Sequence, residues 1–91
     1  MRKDPLVRRL SDVPAQDVER SPGARIQVVL GPDEGMPRFF TRVFTLDPGA
    51  RIPSHGHAEV EHEQLVLEGE MVLHMNGQDH VVRAGDAVYI P

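Results

Sequence analysis

Three of the five histidines, His55, His57 and His62, fall within eight positions of one another. His55 and His57 are two apart, and in an extended chain that spacing turns both rings to the same face. Two neighbouring imidazolium rings would repel, whereas neutral imidazoles can share a divalent cation, which they ligate readily. Ala58-Glu59-Val60-Glu61 is long enough for the chain to turn back. His62 then opens Glu63-Gln64-Leu65-Val66-Leu67, which reads as a strand, so a third nitrogen donor can come from a neighbouring strand. H-x-H alone is a weak signal, and three solvated histidines in an acidic loop would account for the same residues.

The chain has no cysteine, and it shows no Ser-His-Asp pattern and no phosphate-binding glycine loop. Any catalysis would therefore run through a metal, and the catalytic residues themselves stay unassigned. Imidazoles without thiolate suit Mn, Fe, Co, Ni, Cu or Zn, and the sequence does not choose among them. A redox ion with open positions can bind dioxygen or peroxide beside an organic substrate; a non-redox ion acts as a Lewis acid or activates water.

Strand parity places Gln64 and Val66 on the side of His62, with Glu63, Leu65 and Leu67 on the other. Gln64 there could hydrogen-bond a substrate or a metal-bound water, or serve as a satisfied structural glutamine. Phe44 is a candidate wall of a substrate cavity, with plain core packing as the alternative. Glu59, Glu61 and Glu63 read as a solvated rim, and His74 and His80 as ordinary sheet residues.

The elements that must position these residues are short strands. Leu6 to Ser21 has no strong period and holds at most an irregular or edge strand. Ala24 to Leu30 is β-rich, and Arg38 to Leu46 reads as a strand with apolar groups on both faces. A further strand is expected from about Ala50 toward His55, then His62 to Leu67 and Glu70 to Met75 around Glu68-Gly69. Asn76-Gly77 is a hairpin signal, because both central residues of a type I′ turn need positive φ. Gln78 to Arg83 returns from it, and Ala87 to Ile90 follows Ala84-Gly85-Asp86. Short strands with regular turns argue for an antiparallel sandwich or barrel.

Gly49, His55, His57 and Gly69 keep the spacing glycine, five residues, H-x-H, and a closing glycine seven positions after His62. This resembles the first motif of the cupin superfamily. Gly85-Asp86-Ala87-Val88-Tyr89-Ile90-Pro91 is similar to the start of its second motif, a glycine and a proline five residues apart. His62 stands where most cupins carry glutamate, and Glu61-His62-Glu63 resembles small bacterial cupins that hold a metal by histidines alone. Glu61 competes as third ligand, but only His62 keeps the distance to Gly69. The resemblance implies an all-β, cupin-like double-stranded β-helix, or jelly-roll barrel. It also implies a divalent transition metal held by His55, His57 and His62, and a dioxygenase-type oxidoreductase acting on a small organic substrate. The alternative is a non-enzymatic cupin that binds a metal or small ligand as a sensor.

In a complete cupin a further histidine ligand and further strands follow the proline. The expectation is therefore a barrel truncated at its C-terminus, with residues 1–23 a tail and edge strand and 24–91 an incomplete cupin domain. A homodimer is expected to cover the exposed edges, with exchange of a strand between Leu6 and Leu30 as its route. Ninety-one residues allow one small domain. A formal charge of −4 offers no basic face to nucleic acid. No apolar run approaches the ~20 residues that cross a bilayer, so the expected location is cytoplasmic.

Overall fold

The computed structural model describes residues 3–53 and 61–91. The chain divides into two compact units, Met1–Pro53 and Ser54–Pro91. It is all-β: among the described residues the only helical pieces are two single 3-10 turns, Leu10–Asp12 and Pro32–Glu34. None of the described helices is long and apolar enough to cross a membrane.

The first unit is a three-stranded antiparallel sheet of β1 (Gln16–Asp17), β2 (Ala24–Leu30) and β3 (Thr41–Leu46), in that order. Ile26 lies opposite both Gln16 and Phe44, so β2 is the central strand. Its pairing with β3 slips between Val28 and Leu30. Beyond β1, side-chain bonds in both directions join β2 to the segment that precedes β1. Arg8 donates from Nη1 to the Val29 carbonyl at 2.7 Å and pairs with Glu34 at 3.3 Å. Gln27 donates from Nε2 to the carbonyls of Leu10, at 3.2 Å, and Val13, at 2.9 Å. Val13, Ser21 and Ala24 are the buried side chains of this unit among the described residues.

The strand expected over Arg38 to Leu46 begins only at Thr41. Thr41 is already opposite Leu30, the last residue of β2, and the chain beyond Leu30 enters the Pro32–Glu34 turn. Among the described residues, Arg38, Phe39 and Phe40 therefore have no β2 residue left to pair with. Nor do the described residues from Ala50 to Pro53 form the expected strand. Ala50 instead closes a turn, donating its N–H to the Asp47 carbonyl at 2.9 Å.

The second unit contains β4 (His62–Leu65), β5 (Glu70–Met75), β6 (Gln78–Arg83) and β7 (Ala87–Ile90). Two antiparallel pairs, β4 with β7 and β5 with β6, are nested in sequence around Asn76-Gly77. Bonds from Val66 N–H to the Asp86 carbonyl, Gly85 N–H to Val66 and Ala84 N–H to Gly69 carry the pairing from one to the other. The result is one two-stranded ribbon with a corner. Gly69 and Gly85, the glycines of the two motifs, stand at that corner with φ of 80° and 94°. Those are backbone conformations that glycine adopts without a Cβ penalty. The strand expected from His62 to Leu67 ends at Leu65 because β7 begins opposite that residue, at Ala87.

Candidate metal centre

His62 is the first residue of β4 and lies opposite Ile90. Burial alternates along this stretch: His62 and Gln64 are half-buried and Val66 is buried, whereas Glu63, Leu65 and Leu67 are exposed. On β7 the same alternation makes Val88 and Ile90 half-buried and Ala87 and Tyr89 exposed. One face of this pair thus gathers His62, Gln64, Val88 and Ile90. The other carries Glu63 opposite Tyr89 and Leu65 opposite Ala87. Leu65 remains 61% exposed.

Glu61 belongs with the exposed face. The Tyr89 hydroxyl donates to Glu61 Oε2 at 2.5 Å, a short bond of the kind an ionised acceptor favours. That bond raises the Tyr89 phenol above its ordinary range, because a phenolate would face the Glu61 carboxylate. Burial of the phenol and the charges of Glu61 and Glu63 push the same way.

His55 and His57 lie outside the described residues, in the stretch 54–60. Among the described residues no three His, Asp or Glu side chains gather into a metal cluster. Phe44, in the first unit, is opposite Ile26 and 42% exposed, with the Arg42 guanidinium 5.7 Å from its ring centroid. His74 and His80 are exposed on the β5–β6 hairpin. His74 Nδ1 lies 2.7 Å from Asp79 Oδ1, its cross-strand partner. The contact between Tyr89 and Glu61 escaped the sequence reading. Its signal was the chain's single tyrosine in the second motif, but only the β4–β7 register brings it to an acid.

A family model described as the cupin domain matches residues 42–91, more than half of the chain. The chain belongs to the cupin superfamily. No curated protein matches it. The cupin match takes in all but the first residue of β3 and the whole kinked ribbon, including both corner glycines. Cupin domains commonly bind divalent metals and small ligands. The described part of the candidate site suits a nitrogen-ligated ion. His62 is half-buried on the face it shares with Gln64, Val88 and Ile90, while the acid that precedes it, Glu61, is engaged by Tyr89 on the other face. A donor set of imidazoles fits ions from Mn to Zn.

Proposed function

We propose that this cupin holds a divalent transition metal through His55, His57 and His62 and uses it in a dioxygenase-type oxidation of a small organic molecule. The observation that supports this reading is the inverted pattern of β4. Polar His62 and Gln64 take the half-buried side while apolar Leu65 takes the exposed one. Polar side chains drawn partly out of water are the informative ones when a binding site is sought. The same alternation favours His62 over Glu61 as third ligand. When bound, the metal would supply a centre at which dioxygen or peroxide reacts beside the substrate. Gln64, two residues on from His62 on the same side, would orient the substrate by hydrogen bonding.

A second reading is a metal- or ligand-binding module without turnover. It is favoured by the described neighbours of His62 on that face: Gln64, Val88 and Ile90 include no general acid or base. In either reading we place the protein in the cytoplasm as a homodimer, with the exposed apolar side chains of Val72 and Val81 available to a second copy.

Elemental analysis of the purified protein is the primary test. Wild-type chain should carry a stoichiometric first-row ion, and His57→Ala should lose most of it. His62→Gln should strip metal more than Glu61→Gln does; the reverse order would reassign the third ligand. Metal content that survives replacement of all three histidines would end the proposal. Oxygen consumption by the loaded protein with phenolic, diketone or alkene substrates would favour the enzyme over the binding module.

A further inference from the structure

We propose that Tyr89 is a positioning residue, whose hydroxyl holds the Glu61 carboxylate on the exposed face of β4 and β7 and so reserves the third coordination position for His62. This rests on the metal reading given above. Glu61 and His62 are adjacent, and each carries a side chain able to ligate a cation. Because neighbours in an extended chain face opposite sides, a one-residue slip or a half-turn of the chain at the start of β4 would exchange one for the other. The ladder resists this from His62 onward, where the residue is paired with Ile90. Glu61 precedes the strand, so pairing alone does not fix it. Tyr89 does so from the opposite strand: it faces Glu63 directly and reaches Glu61 as the diagonal neighbour on the same face. The bond to Oε2 anchors the Glu61 carboxylate on the exposed face, opposite the side that His62 takes, and crossing to that side means leaving Tyr89. Tyr89 touches neither substrate nor metal in this account; it acts through Glu61.

The consequence is a metal preference. An all-nitrogen set favours Ni over Mn, and replacing one imidazole by a carboxylate moves the site toward harder ions. Groups that orient ligands commonly change metal affinity by about 10–100-fold when removed. In Tyr89→Phe the ring remains and the hydroxyl is lost, so the ribbon should fold while Glu61 is released. Competition titrations should then show the Mn-to-Ni affinity ratio rising about tenfold over wild type. Adding Glu61→Gln to Tyr89→Phe should restore the wild-type ratio, which a merely structural role for the tyrosine would not do.

Tyr89 is the only tyrosine and the chain has no tryptophan, so tyrosine emission comes from this residue alone. Zinc binding to the wild-type protein should leave that emission unchanged, while Glu61→Gln should raise it without any metal. An unchanged Mn-to-Ni ratio in Tyr89→Phe would overturn the proposal, as would a shift that persists in the double variant. So would a zinc-induced rise of wild-type emission to the Glu61→Gln level, because Glu61 would then have left Tyr89 for the ion. A wild-type chain that takes up no ion sinks the metal reading and this inference together. One that binds normally while Tyr89→Phe keeps its ratio sinks only the role of Tyr89.

Discussion

Along β3, apolar side chains stand on both faces, and Val43 and Leu46 are half-buried while Phe44 is exposed. Along β4, burial alternates residue by residue, and at three of its four positions it runs against polarity: His62 and Gln64 are half-buried and Leu65 is exposed, while Glu63 is exposed as a charged residue should be. The two units also complete their backbone bonding differently. The first adds to its backbone turns two long side chains, Arg8 and Gln27, that cap carbonyls across some 14 to 21 residues of sequence. The second relies on backbone bonds through a corner that two glycines make possible. The difference matters for function. The ribbon's corner is closed by backbone bonds and by the Asp86 carboxylate, which accepts from the Arg83 N–H, and none of these uses a side chain of the face that carries His62 and Gln64, whereas Arg8 and Gln27 are committed to holding the first unit together.

The largest effect that would test this contrast is at the corner. Gly85 has φ of 94° and no atom within 4 Å of where a Cβ would sit, so Gly85→Val introduces backbone strain without collision. A β-branched residue in that region costs about 3 kcal/mol. Urea unfolding should show a loss of that order, with the slope unchanged. A valine tolerated at Gly85 would mean that the corner does not depend on its glycine.

A smaller loss is expected in the first unit from Gln27→Ala. It removes both amide bonds to Leu10 and Val13 and leaves their carbonyls to partly accessible water. About 1 kcal/mol is expected from such bonds. Amide exchange should accelerate in the segment from Leu10 to Asp17 and stay unchanged in the Asn76-Gly77 hairpin. Equal acceleration in both would show that the two units unfold together and that the contrast is not one of stability.

The same contrast explains what could be read in the sequence. The Asn76-Gly77 hairpin was legible because its conformation is local: both residues take positive φ, at 51° and 74°. The side of His62, Gln64 and Val66 was legible because strand parity needs no partner. Strand ends were not, since Arg38 to Phe40 lose their pairing to a turn in another segment. The Tyr89–Glu61 bond was hidden for a like reason: it joins residues 28 apart through a register that sequence does not state. His55 and His57 remain a reading of motif spacing.

The smallest effect concerns that bond and sharpens the comparison from the site's side. Folding raises the Tyr89 phenol above its unfolded value of ~10, chiefly through the bond to Glu61, then through burial and the charges of Glu61 and Glu63. The folded protein therefore holds this proton at a pH where the unfolded chain has released it. By linkage, the pair's contribution to stability is fully present below ~10 and is lost as pH rises through the folded value. In Glu61→Gln the principal cause is gone, and phenolate absorbance should appear at lower pH than in the wild type. Glu63→Gln should shift the curve the same way by less, because that residue acts only through its charge. Gln27→Ala should leave it in place, since the clasp of the first unit shares no group with Tyr89. Coincident wild-type and Glu61→Gln titrations would mean that the carboxylate does not hold the phenol in solution, and that the exposed face of β4 is not ordered by this bond.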